Sequence, residues 1–231
     1  MTRGQWHELE STWDAPAATA LDQHLYIAEG GSIFRCDRWG AYETMSEDWS
    51  PRLLVGVAGS LVTIETGGEM YRIAPGDGRW DPLDDSWSDA IAATAAGDYV
   101  YVVERSGHLY RVAPGDGSYV QIGDDHRDVT CMTAAAGHLI TFESTGCMYR
   151  VSPRTGAWEE IDDDWRNVRC VASDGKLVYA AVGETIFSID PADGRFEGLN
   201  DTYWNTRHLV GTPDALYAIE RDGGLWRIEL R

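Results

Sequence analysis

Lysine is almost missing from this 231-residue chain: Lys176 stands alone among 19 basic residues, which face 38 acidic ones for a formal charge of −19. A chain so poor in positive charge is a bad counterpart for phosphate backbones and anionic lipid head groups, so nucleic acid is excluded as a partner. Long apolar runs are absent too. No stretch approaches the roughly 20 residues a membrane helix needs, and residues 1–6 run into patterned sequence without an apolar leader. Membrane insertion and signal-directed export are therefore not expected, and the expected location is the cytoplasm, with non-classical export as the alternative. Cysteine is scarce: Cys36, Cys131, Cys147 and Cys170 form no CxxC or Cys/His ligand spacing, which argues for free thiols rather than a disulfide framework or a zinc site. No helical pattern of ten residues, nucleophile motif, phosphate loop or calcium-loop spacing occurs. No catalytic residue, metal or cofactor is assigned.

What the chain has in quantity is aromatic residues, with 10 Trp and 11 Tyr, and they recur at a fixed period. Phe34, Tyr71, Tyr110, Tyr149, Phe187 and Trp226 follow one another at 37, 39, 39, 38 and 39 residues. A second ruler, Trp13, Trp49, Trp87, His126, Trp165 and Trp204, gives 36, 38, 39, 39 and 39. Two independent rulers that agree mark six copies of one supersecondary unit, each unable to bury its apolar face alone.

The third copy reads as four short strands. Ile91–Ala95 is small and apolar, Tyr99–Glu104 is β-branched and aromatic, His108–Val112 follows, and Ser118–Ile122 closes the unit. Between them stand Ala96-Gly97-Asp98, Arg105-Ser106-Gly107 and Pro114-Gly115-Asp116-Gly117, turn chemistry short enough to force antiparallel pairing. Six such units make the fold all-β, a six-bladed β-propeller of four-stranded antiparallel blades within a single domain, residues 1–231. The last copy, residues 207–231, stops after its third strand. Gly4-Gln5-Trp6-His7-Glu8-Leu9 matches Gly156-Ala157-Trp158-Glu159-Glu160-Ile161, so residues 4–9 are expected to supply the missing fourth strand and close the propeller.

Strand alternation collects the Trp ruler on one face with the Glu that ends each second strand, and with acidic connectors such as Glu47-Asp48 and Asp162-Asp163-Asp164. Neighbouring strands lie about 4.8 Å apart, so the Trp and Glu of one blade fall within a ligand's width. An indole covers the apolar face of a sugar while a carboxylate accepts its hydroxyls. Trp13 with Glu29, Trp49 with Glu65, Trp87 with Glu104, and Trp204 with Glu220 are the candidate ligand-binding pairs. His126 and Ala181 break the pattern in two blades. The same residues also have a structural reading, with Trp wedged between blades and Glu paired to the Arg after each third-strand aromatic. The aromatics opening the fourth strands, Trp6, Tyr42, Trp80, Tyr119, Trp158 and Phe196, are expected to pack in the core.

The repeat, with an aromatic opening the outer strand, a run such as Leu177-Val178-Tyr179-Ala180 and a Gly turn before Ile186-Phe187, resembles the tectonin and tachylectin-type lectin propellers. That resemblance implies a multivalent, non-catalytic binder of glycans or glycoconjugates with sites repeated blade by blade. Two other functions stay open. One is a scaffold for a protein partner; the other is an enzyme or small-molecule binder with an asymmetric channel site at Arg52, Thr130, Arg169, Arg207 and His208, where the innermost strands diverge.

Overall fold

The computed structural model describes residues 5–84, 86–199 and 205–230. These residues form strands and turns only, 24 strands in six antiparallel sheets of four. β1 is Trp6–Thr12. The first blade is β2 (Ala17–Leu21), β3 (His24–Glu29), β4 (Ser32–Cys36) and β5 (Tyr42–Glu47). The second is β6 (Pro51–Val57), β7 (Ser60–Glu65), β8 (Met70–Ile73) and β9 (Trp80–Asp84). The third is β10 (Ala90–Ala96), β11 (Tyr99–Glu104), β12 (Leu109–Val112) and β13 (Tyr119–Gly123). The fourth is β14 (Val129–Ala135), β15 (His138–Glu143), β16 (Met148–Val151) and β17 (Trp158–Asp162). The fifth is β18 (Val168–Ser173), β19 (Val178–Val182), β20 (Thr185–Ile189) and β21 (Phe196–Gly198). The sixth is β22 (Thr206–Gly211), β23 (Ala215–Glu220) and β24 (Gly224–Glu229), completed by β1 through pairs such as Trp6↔Ile228 and Glu8↔Trp226. The expected six-bladed propeller, with its N-terminal strand closing the last blade, is the observed fold.

Two compact units divide the chain: the first three blades together with the turn at 153–156 form one, and the rest of the last three blades, with β1, form the other. In the first unit the core includes Val55, Ile64, Met70, Trp87, Val100 and Val112. In the second it includes Ile140, Phe142, Met148, Trp165, Val178 and Ile189. Burial grades across each blade. The second strands β7, β11, β15 and β23 are covered on both faces, which is why they read as continuous apolar runs rather than alternating ones. The fourth strands β9, β13, β17 and β21 are edges, mostly exposed.

Two β-bulges recur at fixed places. Between first and second strands the register skips one residue, as from Pro51↔Glu65 to Leu53↔Ile64, from Val168↔Val182 to Cys170↔Ala181 and from Thr206↔Glu220 to His208↔Ile219. Between third and fourth strands it skips again, as from Met70↔Asp84 to Tyr71↔Pro82 and from Met148↔Asp162 to Tyr149↔Glu160. A bulge bends its strand and re-aims the side chains beside it. Here the first bulge leaves Arg52, Arg169 and Arg207 as the extra residues, and sets Glu65 opposite Pro51 and Glu220 opposite Thr206.

The glycine ending each Pro/Gly turn explains why that turn repeats. Gly156 adopts φ 70°, and a Cβ built on it would lie 1.8 Å from the Ile122 carbonyl oxygen of the preceding blade. The turn can seat there only without a side chain. Gly156→Ala should therefore lower stability by about 2–4 kcal/mol, from strain at positive φ and overpacking together. Chemical denaturation checks this against Gly115→Ala, whose added Cβ meets nothing within 4 Å and should leave stability unchanged or slightly raised.

Candidate functional site

A hydrogen bond from the backbone places every described member of the Trp ruler. Trp13 N donates to Gly223 O (2.8 Å), Trp49 to Gly31 (2.9 Å), Trp87 to Gly68 (3.0 Å), His126 to Gly107 (3.0 Å) and Trp165 to Gly146 (2.9 Å). Each acceptor is a glycine in the turn between second and third strands of the preceding blade. The indoles then turn inward: Trp13, Trp49, Trp87 and Trp165 are buried, Trp87 only 2% exposed. Trp204 lies outside the described residues.

The Glu positions meet the ruler through the next peptide. Glu65 Oε2 accepts from Ser50 N (2.6 Å), and Glu220 Oε2 accepts from Asn205 N (2.5 Å) while its Oε1 accepts from Thr206 Oγ1 (2.8 Å). Glu104 is partly buried, 4.0 Å from His108 Nδ1 and 3.5 Å from Ser106 Oγ. Glu29 ends β3 and is half-buried. In three blades the Arg after the third-strand aromatic pairs elsewhere, with the fourth strand of its own blade: Arg35 with Glu43, Arg72 with Asp81 (2.6 Å) and Arg150 with Glu159; in the sixth, Arg227 pairs with Glu229 of its own strand (3.1 Å). In the third blade Val120 stands opposite Arg111, which lies instead over the Tyr99 ring at 4.9 Å.

The proposed channel residues sit on first strands, and three of them reach the next blade. Arg52 donates to the carbonyls of Trp87 (2.8 Å) and Ser88 (2.9 Å), Arg169 to Asn205 Oδ1 (3.2 Å), and Arg207 pairs with Asp14. Thr130 Oγ1 donates to Phe142 O (3.1 Å), and His208 follows Arg207 on β22. Three guanidiniums of this set are thus engaged in joining blades.

Five of the six fourth-strand aromatics depart from expectation, while Trp6, partly buried, packs against the sixth-blade core as expected. Tyr42, Trp80, Tyr119, Trp158 and Phe196 are about half exposed rather than core residues, because they stand on the edge strand. Each packs edge-to-face on its third-strand neighbour: Phe34–Tyr42 at 5.8 Å, Tyr71–Trp80 at 5.4 Å, Tyr110–Tyr119 at 5.7 Å, Tyr149–Trp158 at 5.1 Å and Phe187–Phe196 at 5.7 Å. Each ring is thus held against the blade and leaves about half its surface to solvent. The outermost position in a four-strand blade was the signal for this exposure.

In the second blade these features meet in a cleft of about 490 Å³. Trp49, Tyr71 and Trp80 form its aromatic wall, with Trp49 and Trp80 6.1 Å apart between centroids, and Glu47, Asp48, Glu65 and Glu69 its acids. Trp49 and Glu65, paired on sequence grounds, thus line one cleft; Gly67 and Glu69 join them there without having been singled out. Glu65 is 9% exposed, and its Oε1 makes no well-aligned hydrogen bond. Burial raises its carboxyl above the ordinary value, against the lowering pull of the Ser50 amide and the Thr63 hydroxyl and with the Glu69 charge adding to the rise.

No protein-family model matches the chain, and no curated protein matches it. Solved structures do. YCF48 bound to D1 peptide superposes with a TM-score of 0.68 at 14% identity, over 100% of this chain and 98% of that one. Virginiamycin B lyase from Staphylococcus aureus gives 0.66 at 11%, over 99% and 100%. PorZ, a surface component of the type-IX secretion system of Porphyromonas gingivalis, gives 0.62 at 10%; this chain covers 98% of itself and spans 39% of that protein. At such identities the likeness is one of fold, and these neighbours place no specific function on it. The lectin-type resemblance stays at the level of the repeat.

A raised carboxyl makes Glu65 a proton acceptor on folding. The folded chain then binds more protons than the unfolded one above the ordinary carboxyl value of 4.5, so this residue's contribution to stability falls as pH rises through that window. Urea denaturation of the wild type and Glu65→Gln between pH 4 and pH 7 should show the wild type losing ground to the variant as pH increases. A constant difference, or the opposite slope, would contradict the burial argument.

Proposed function

We propose that the protein is a non-catalytic, multivalent binding module whose repeated ligand is carbohydrate. The observation that carries this is the half-exposed aromatic found at one position of five blades, which in the second blade lines a cleft with the acidic connector Glu47-Asp48. The buried members of the candidate pairs, Trp13, Trp49 and Trp87, serve as floor rather than stacking surface. Glu29, Glu65, Glu104 and Glu220 supply acceptors near it, and Trp204 belongs to the same set by its place in the repeat. Weak single sites of this kind gain about 10²- to 10⁴-fold in avidity on a clustered target.

A protein partner is the second reading. Exposed aromatics with almost no lysine resemble the composition of an interface core, and the YCF48 structure holds a peptide on the same fold.

A glycan array probed with labelled protein, with and without calcium, should return hits sharing one terminal sugar. Trp158→Ala should then lower array signal by about tenfold or more with little change in melting temperature, since its ring is half exposed. Trp87→Ala, which removes a buried ring, should cost about 3–5 kcal/mol of stability. A blank array from folded protein would shift the assignment to the protein partner.

A further inference from the structure

The blades differ in how they satisfy the Glu that ends the second strand. In the third and fourth blades a hydroxyl two residues on donates to it: Ser106 Oγ to Glu104 (3.5 Å) and Thr145 Oγ1 to Glu143 (3.2 Å). In the sixth, Thr206 across the strand pair donates to Glu220 (2.8 Å). The second blade has neither device. Gly67 stands where Ser106 and Thr145 stand, and Pro51, opposite Glu65, stands where Thr206 does. Glu65 Oε1 and Thr63 Oγ1, on one strand and both buried, make no well-aligned hydrogen bond, although the Thr63 hydroxyl is near enough to lower the Glu65 carboxyl.

The missing side chain at Gly67 has a second effect. The Glu69 carboxylate occupies that space, with Oε2 2.4 Å and Oε1 2.7 Å from where a Cβ would be. Two carboxylates, Glu65 and Glu69, thus line one cleft with Glu47 and Asp48, and the half-exposed indole of Trp80 walls it. Among the described residues no three acids, histidines or cysteines come close enough together to hold a metal ion. A larger, flat cation suits the cleft better. It can give N–H donors to a carboxylate while its face lies on the indole, and those are the properties of a guanidinium.

We propose that the second-blade cleft is a receptor for an arginine side chain of a protein partner, with Glu69 accepting its N–H groups, Trp80 stacking on it and the buried Glu65 adding negative charge behind them. The site overlaps the second-blade member of the carbohydrate set, with which it shares Glu65 and Trp80; what sets it apart is Glu69, whose carboxylate fills the space at Gly67. A protein source fits an open cleft that leaves the backbone of the arginine outside.

Capped arginine, N-acetyl-L-arginine methylamide, is the probe, followed by tryptophan fluorescence and by amide chemical shifts of the full chain. The expected result is saturable binding with Kd of about 0.1–5 mM, with shifts centred on residues 65–69 and Trp80. The capped citrulline analogue, isosteric and uncharged, should bind at least about tenfold more weakly. Gly67→Ser restores the hydroxyl and displaces only the mobile end of Glu69, so it should keep its melting temperature and lose binding by about tenfold or more. Glu69→Gln should weaken binding in the same direction. No binding by the folded wild type, equal binding of citrulline, or full binding by Gly67→Ser overturns the proposal. Free L-arginine binding more than about tenfold tighter than the capped form overturns the protein source, since the pocket would then be reading the α-amino and carboxylate groups.

Discussion

The structure depends on one backbone hydrogen bond, from the amide at the Trp ruler to a glycine carbonyl in the preceding blade. It fixes where each blade begins relative to the turn before it, within each compact unit. Because the donor is main chain, the side chain at that position can vary. His126 keeps the bond at 3.0 Å although it lacks an indole. Once the amide is fixed, the next residue falls within reach of the following second strand's Glu, and the carboxylate caps its amide at Ser50 and Asn205. The first-strand bulge then sends an arginine forward to the next blade. The period of the sequence is the period of this joint.

Much of the fold was legible because it rests on local rules. Short Gly and Pro turns dictate antiparallel strands, two rulers give the blade count, and the copied motif at Trp6 locates the strand that completes the sixth blade. What could not be read was which face each aromatic would meet. Trp80 and Trp87 look alike in a linear pattern, yet one is 55% exposed and the other 2%. The distinction lies in the bulge between third and fourth strands and in the edge position of β9, both tertiary in origin. The proximity of Trp49 and Glu65 followed from strand spacing. The part played by Gly67 did not, because a glycine's contribution here is the space it leaves for Glu69.

Structural and recognition roles separate by depth in the blade. Inner and middle strands hold polar groups that are spent on joining blades, such as Arg52 on the carbonyls of Trp87 and Ser88. The outer strand does little joining, and it carries the exposed aromatics. Sequence change at the rim is therefore cheap, which fits a fold shared with proteins of such different description as a lyase and a peptide-bound factor at 11% and 14% identity.

The pairing of Trp6 with Ile228 bears on synthesis order. During translation β1 emerges before β24, so its hydrogen-bonding edge has no partner until β24 has left the ribosome. Five blades can pair within contiguous sequence while the sixth waits for β24. The slow step of assembly should be this long-range closure, and a nascent chain stalled before β24 would carry an open strand edge of the kind that invites association with another copy.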